Sequence, residues 1–164
     1  MEVDVNAVKE LRQKTGAGVM DVKKALVKAE GNSSKAEEIL KEQGLANAMK
    51  KSGRDTSEGV VQSYIHAGNK IGALVEIKCE TDFVARTEDF INLAKDLAMQ
   101  VTAMSPSFIS RDDEGAKEAA SEEILMSQAF IKDPSLNIED MVKSMISKVG
   151  ENINISKIAK FDLS

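Results

Sequence analysis

The sequence predicts an α+β fold in which a bundle of three short helices precedes a three-stranded antiparallel sheet with a helical insert. Two patterns carry this prediction. Apolar residues recur every three or four positions up to Gly44, which is helical spacing. From residue 60 to residue 79 they alternate at every second position, which is the spacing of a strand.

Three apolar stripes separated by glycines predict the helices of the bundle. The first stripe ends before Gly16-Ala17-Gly18, the second ends at Gly31-Asn32, and the third is predicted to end at Gly44. Ser34 and Glu37 have the spacing of a capping box at the start of the third helix. A bundle this small has little interior and is typical of a docking module. The stripes consist of Val5, Val8 and Leu11; Val22, Ala25, Leu26 and Ala29; and Ile39 and Leu40.

The best-defined element of the sequence is a hairpin. Apolar residues alternate strictly over Ile71–Cys79, the segment Val60–Ile65 alternates before it, and Ala67–Lys70 supplies the turn. A third strand is expected over Ile153–Phe161, where the alternation is imperfect, as in a bulged edge strand. The helices expected in the insert lie over Phe90–Met104, Gly115–Gln128 and Ile138–Val149.

Charge divides the chain into two units. Residues 1–54 carry 11 Lys and Arg against 8 Asp and Glu, whereas residues 55–164 carry 11 against 19. A stretch rich in Gly, Ser and Lys, Lys50–Arg54, indicates a connector. We therefore expect a three-helix docking domain with its connector over residues 1–54, and an α+β core and dimerisation domain over residues 55–164.

The composition argues against several classes of partner. The 164 residues have a formal net charge of -5, which opposes direct binding to nucleic acid. The chain has one cysteine, so no disulfide forms within it, and this indicates a cytoplasmic protein. No apolar run approaches the roughly 20 residues that span a bilayer, and we expect no membrane partner. A solvated helix face is the expected role of Lys9, Arg12, Lys14, Lys23, Lys24 and Lys28, because acidic residues are interleaved with them.

The chain offers little for catalysis. Cys79 and His66 are the candidates for a thiol–imidazole dyad, but at about 3.3 Å per residue the predicted hairpin separates them by roughly 26 Å. A metal site would have carboxylates alone as ligands, without a calcium-loop pattern. Gly16-Ala17-Gly18 follows a helix rather than a strand, which argues against a dinucleotide site. We therefore expect no catalytic residue, metal or cofactor.

Two short segments are candidates for contact with a partner. Val19 and Met20 follow the glycine-rich turn at the end of the bundle, where they would form an apolar docking point. Thr81-Asp82-Phe83-Val84 lies between the best strand and the best helix. The residues alone leave two alternatives open there. Either Asp82 caps a helix while Phe83 turns inward, or the pair presents an aromatic anchor beside a carboxylate for a partner's pocket.

The predicted sheet leaves one face without a cover. Its own helices cover one face, while the other carries apolar residues on two strands and no remaining segment is available to pack on it. An uncovered apolar face favours a partner. The simplest expectation is a symmetric homodimer in which sheet packs against sheet.

Short blocks of sequence, spread over nearly the whole chain, form a recognisable pattern. These blocks are Leu11-Arg12, Thr15–Gly18, Met20-Asp21, Lys23–Leu26, Gly68-Asn69, Ile71-Gly72, Leu74–Glu76, Glu80–Arg86, Ala98–Gln100, Pro106 and Gly150–Ile153. In these blocks the sequence resembles the elongation factor Ts family. The order Thr81–Val84 directly after a strand is highly specific, and the chain resembles the short form of the family, with one core subdomain. Val19 and Val22 depart from the pattern, because many family sequences have Met and Cys there.

The resemblance implies a guanine-nucleotide exchange factor for protein biosynthesis that performs no covalent chemistry. It implies that a ubiquitin-associated-type domain docks on the GTPase domain of elongation factor Tu, in its GDP-bound and nucleotide-free forms, through Arg12, Val19 and Met20. It implies that Thr81–Val84 inserts between helices of that domain, disturbs the bound Mg²⁺ and loosens GDP. Pairing of the single core subdomain with its copy, and a two-to-two complex, are also implied.

One alternative function stays open. The three-helix unit would bind ribosomal or ubiquitin-like partners, and the sheet would serve dimerisation without any exchange activity. Release of GDP from elongation factor Tu distinguishes the two functions.

Overall fold

The structure, a computed structural model, describes residues 4–164 and confirms the mixed helix and sheet architecture. Residues 1–3 of the predicted first unit lie outside the described residues. The helices are α1 (Val5–Thr15), α2 (Val19–Lys28), α3 (Ser33–Lys51), α4 (Asp82–Ala85), α5 (Glu88–Met104) and α6 (Ile138–Val149). The strands are β1 (Glu58–Ile65), β2 (Ile71–Cys79), β3 (Ala129–Phe130), β4 (Asp133–Asn137) and β5 (Ile153–Asp162).

Helices α1, α2 and α3 form the predicted bundle, but α3 differs in length and in its cap. The predicted end at Gly44 is wrong, because α3 continues to Lys51. A Cβ at Gly44 would lie 3.1 Å from Ser147 Oγ, so this glycine lets α3 approach α6 closely. The expected capping box is also wrong, since Asn32 Oδ1 accepts a hydrogen bond from the Lys35 N–H instead, at 3.0 Å. The buried bundle residues are Val8, Leu11, Val22, Ala25, Leu26, Ala29, Ala36 and Leu40; Val5, in contrast, is exposed.

The hairpin and the C-terminal strand are confirmed. The sheet has the antiparallel order β1–β2–β5, with the main-chain N–H of His66 donating to Ile71 O at 2.9 Å to close the hairpin turn. The pairing of β2 with β5 shifts between Glu76 and Ile77, which is the irregularity that the imperfect apolar spacing of β5 predicts. Cys79, the last residue of β2, faces Ile153, the first residue of β5.

One face of the sheet carries the main core. Helix α5 packs on this face, and Thr87 is its N-cap, since Thr87 Oγ1 accepts from the Phe90 N–H at 3.3 Å. The largest apolar side chains of this core are fully buried. They belong to α5, α6, the insert and the centre of the sheet, and they are Phe90, Leu97, Val101, Leu125, Ile138, Val75 and Ile77.

The insert between α5 and α6 is irregular where a helix over Gly115–Gln128 is predicted, and that prediction is wrong. The guanidinium of Arg111 donates to the carbonyl oxygens of Ala116, Lys117 and Ala119 at 3.3, 3.3 and 2.7 Å. In the interior of an α-helix the carbonyls point along the axis, each to the N–H four residues on, so three of them do not converge on one guanidinium. The segment forms turns and two short 3₁₀ helices, Ser121–Glu123 and Leu125–Ser127, before β3.

The second face of the sheet is exposed within residues 4–164. We call it the open face and define it by its large apolar side chains from all three strands and the chain end beyond β5. The open face consists of Val61, Ile65, Leu74, Phe161 and Leu163. The antiparallel register places the first four of them on the side opposite to the core residues Val75 and Ile77.

Candidate partner-binding site

The segment Thr81–Val84, which we call the tip, lies between the end of β2 and the start of α5. Thr81 caps α4, because its Oγ1 accepts a hydrogen bond from the Val84 N–H at 3.4 Å. Val84 points into the core and is buried, whereas the Phe83 side chain is 80% exposed. The first of the two alternatives is therefore wrong: Thr81 rather than Asp82 caps the turn, and Phe83 points outward beside the Asp82 carboxylate.

The carboxylate of Glu151 holds the base of the tip, by which we mean the residues Glu80 and Thr81. Glu151 Oε1 accepts from Thr81 Oγ1 at 2.6 Å, while Oε2 accepts from the main-chain N–H groups of Glu80 and Thr81 at 3.1 and 3.0 Å. Glu151 can reach them because α6 ends at Gly150 with a left-handed φ of 76°, which turns the chain toward the sheet. Hydrogen bonds to a charged acceptor are stronger than neutral ones, so the base of the tip is firmly held.

The next residue, Asn152, connects the tip to the connector. Its main-chain N–H donates to Glu80 Oε1 at 2.6 Å, and its Nδ2 donates to the carbonyl oxygens of Ser52 and Arg54 at 3.3 and 2.8 Å. The Arg54 guanidinium also lies 3.5 Å from Glu80 Oε1. Asn152 is buried. The base of the tip, the end of α6 and the chain beyond α3 are thus joined by one hydrogen-bonded network.

Asp82 presents a carboxylate beside the exposed aromatic ring. Its Oδ2 lies 2.8 Å from Arg86 NH2, and both side chains are substantially exposed. An exposed ion pair of this kind contributes at most about 1 kcal/mol. The Asp82 carboxylate is therefore available to a positively charged group of another molecule.

The other candidate residues lie on either side of the turn between α1 and α2. Arg12 is exposed in the last turn of α1, and its carbonyl oxygen accepts from the Gly16 N–H at 2.8 Å. Val19 and Met20, in the first turn of α2, are 39% and 63% exposed. The exposed end of the bundle thus combines a guanidinium with two apolar side chains, which is a composition common in protein interfaces.

Comparison with known proteins agrees with the resemblance. The family described as "Elongation factor TS" matches residues 4–129, which include the bundle, the hairpin and the tip. The chain belongs to the elongation factor Ts family. It is therefore a translation elongation factor.

Relatives named elongation factor Ts are similar to this chain over nearly its whole length. The protein of Carboxydothermus hydrogenoformans is 44% identical over 188 residues, covering 95% of this chain and 87% of the relative. That of Herpetosiphon aurantiacus is 40% identical over 195 residues, covering 99% and 98%. That of Anaeromyxobacter dehalogenans strain 2CP-1 is 45% identical over 194 residues, covering 99% and 89%. These alignments are longer than the 164 residues of the chain, so the relatives contain internal residues that this chain lacks.

The surroundings of Cys79 do not favour a nucleophile in this elongation factor Ts. Burial, together with a smaller contribution from the negative charge of Glu151, raises the pKa of the thiol from 9.0 to about 11. Cys79 Sγ donates to Thr81 O at 3.2 Å. His66 lies at the opposite end of β2, with its Nδ1 3.2 Å from the hydroxyl of Tyr64. A protonated thiol without a nearby base is a poor nucleophile.

Residues 4–164 contain no group of three or more His, Cys, Asp and Glu placed to hold a metal ion. Nor does any helix in that range have the length and apolarity needed to cross a membrane.

Sequence reasoning missed the roles of Glu80, Glu151 and Asn152. Two of them stand in the block Gly150–Ile153, and a signal for their position was present in the predicted strands. When β5 pairs antiparallel with β2, the residues that precede β5 lie beside the residues that follow β2. The register that places Ile153 opposite Cys79 therefore places Glu151 and Asn152 next to the tip.

Proposed function

We propose that this elongation factor Ts is the guanine-nucleotide exchange factor of elongation factor Tu. It binds the GDP-bound form, disturbs the Mg²⁺ and phosphate site, promotes GDP release and holds the nucleotide-free form. The observation that supports this most strongly is the exposed Phe83 on a turn whose base is held by Glu151. A large aromatic side chain on rigid flanks is suited to entering a cavity of another protein.

The tip acts without covalent chemistry. Phe83 supplies the volume that separates helices of the GTPase domain, and Asp82 brings negative charge toward the groups that hold Mg²⁺. The factor accelerates release because its complex with elongation factor Tu tolerates the loss of nucleotide better than free elongation factor Tu does. By linkage, bound GDP weakens the factor's binding by the same coupling free energy.

The exposed end of the bundle supplies the second contact. Arg12, Val19 and Met20 dock on the GTPase domain and hold the tip near its site. Two contacts on one chain raise the local concentration of the second once the first has formed. We assign docking to residues 1–54 and the core and dimerisation to residues 55–164. Two separate apolar clusters support this division, although Ala48 of α3 belongs to the second one.

The open face is the proposed homodimer surface. Phe161 is 70% exposed and Ile65 59% exposed, although both lie on regular strands of the sheet. In a twofold dimer the same face of a second copy covers these side chains. A two-to-two complex with elongation factor Tu follows, located in the cytoplasm with the translation machinery.

Stopped-flow release of a fluorescent GDP from elongation factor Tu tests the proposed function. Release should accelerate with the concentration of the factor and reach a plateau, and excess Mg²⁺ should oppose the effect. If the factor binds elongation factor Tu and the release rate stays at its spontaneous value, the proposal is wrong. Binding without exchange would favour the alternative, a binding and dimerisation module.

A further inference from the structure

The carboxylate of Glu151 makes three hydrogen bonds, and all of them go to the base of the tip. Two of the donors are consecutive main-chain N–H groups, those of Glu80 and Thr81, and the third is the Thr81 hydroxyl. Glu151 itself lies between α6 and β5. It therefore belongs neither to the tip, nor to the exposed end of the bundle, nor to the open face. Because all three hydrogen bonds go to the base of the tip, we expect Glu151 to influence the orientation of the tip.

Thr81 transmits this constraint to the aromatic ring. The same Oγ1 that donates to Glu151 accepts from the Val84 N–H and caps the turn that carries Phe83. The hydrogen bond from Asn152 N–H to Glu80 Oε1, at 2.6 Å, makes the arrangement reciprocal. Each of the two adjoining chain segments thus supplies a carboxylate that accepts from main-chain N–H of the other.

We infer that Glu151 is a positioning residue for nucleotide exchange, which fixes through Thr81 the direction in which Phe83 leaves the surface. This inference rests on the proposed function of the tip. Glu151 neither docks on elongation factor Tu nor touches the nucleotide site. Its removal leaves the ring present and misdirected, and a wedge displaced by about 1 Å is expected to lose much of its effect.

Three variants and one measurement separate positioning from binding. Stopped-flow GDP release is measured against factor concentration, which gives a maximal rate and a half-saturating concentration. Glu151→Ala is expected to lower the maximal rate about tenfold, with an unchanged half-saturating concentration. Glu151→Gln keeps an oxygen for the two N–H groups and should retain most of the rate. Glu139→Ala is the matched control, because the exposed Glu139 pairs, within residues 4–164, only with the half-buried Lys143 on the same helix, at 2.7 Å.

A double variant tests whether Glu151 acts through the tip. In the Phe83→Ala background, Glu151→Ala should cause no further loss of rate, because there is no ring left to direct. A general loss of structure would instead lower the rate by the same factor in both backgrounds. Multiplicative losses, or a wild-type rate for Glu151→Ala, would overturn the inference while the proposed function stands.

Amide hydrogen exchange gives a readout that does not depend on activity. In Glu151→Ala the N–H groups of Glu80, Thr81 and Val84 should exchange faster, while protection in α5 stays at the wild-type level. Unchanged protection at the tip would overturn the inference, whatever the release assay shows. If the wild-type protein does not accelerate GDP release from elongation factor Tu, the proposed function is wrong. The amide hydrogen exchange data would still decide whether Glu151 orders the tip.

Discussion

Phe83 and Phe161 are both highly exposed, at 80% and 70%, but their surroundings differ. Phe83 stands alone on a short capped turn, beside the ion pair of Asp82 with Arg86. Phe161 lies on an extended strand among the other apolar side chains of the open face. A single projecting ring fits a pocket, whereas an apolar face on three strands fits another flat face. The comparison teaches that similar exposure suits two different kinds of proposed contact, and that the surroundings of each ring distinguish them.

The largest effect is expected from a charge on the open face. Phe161→Glu places an unpaired carboxylate in a proposed twofold interface, and symmetry makes the change occur twice. The dissociation constant of the dimer should rise about thousandfold. Analytical ultracentrifugation over a range of concentrations measures it. Phe83→Glu is the matched control and should remain a dimer; a wild-type chain that sediments as a monomer would refute the role of the open face.

The next effect concerns the tip. Phe83→Ala should lower the maximal rate of GDP release about thirtyfold, equivalent to roughly 2 kcal/mol, because the wedge is lost. Its melting temperature should match that of the wild type, since the ring is 80% exposed. Stopped-flow release and thermal unfolding measure the two quantities. If Phe83→Ala releases GDP as fast as the wild type does, Phe83 does not act as a wedge, and the proposed difference in role between Phe83 and Phe161 is wrong.

A smaller effect is expected at the end of the bundle. Met20→Ala should raise the half-saturating concentration about fivefold, roughly 1 kcal/mol, and leave the maximal rate unchanged, because docking precedes the action of the tip. Titration of the release rate with the variant measures both values. Met49→Ala is the control, since Met49 is similarly exposed, at 68%, on α3. Equal shifts in the two variants would contradict a specific docking role for Met20.

The last effect is on stability rather than on activity, and it concerns β2, the strand that contributes Leu74 to the open face and leads into the tip. Burial raises the pKa of the Cys79 thiol to about 11, whereas an unfolded chain loses this proton near pH 9.0. The unfolded state then binds fewer protons than the folded state, so the free energy of unfolding falls between these pH values. Denaturant unfolding in the presence of a reductant should show a shallower fall for Cys79→Ala. If the free energies of unfolding of the wild type and of Cys79→Ala fall in parallel with pH, the thiol has the same pKa in the folded and the unfolded states.

The elements with local signals were predictable. The alternation over Ile71–Cys79 and the turn after His66 define a hairpin through neighbouring residues, and the structure has that hairpin. Thr87 as the cap of α5 is equally local. The tip was recognisable as a segment, but sequence alone did not decide whether Phe83 turned inward. That depended on Val84 filling the core beneath it.

The errors share a physical cause, which is a contact between distant parts of the chain. Gly44 would end many helices, yet here it lets α3 pass close to Ser147 of α6. Gly115–Gln128 has a helical composition, yet Arg111 binds the carbonyls that a helix would use. Glu151 lies about seventy positions from Thr81 in the chain, a separation that no local pattern spans.

Taken by itself, the order of residues determined the two periodicities, the hairpin and the family, because each depends on side chains within a few positions of one another. Tertiary structure decided where Phe83 points and what holds it. That outcome required β5 to pair with β2, so that Glu151 reaches the N–H groups of Glu80 and Thr81. Main-chain N–H donors are chemically alike at every position except proline, and packing determines which acceptor meets them.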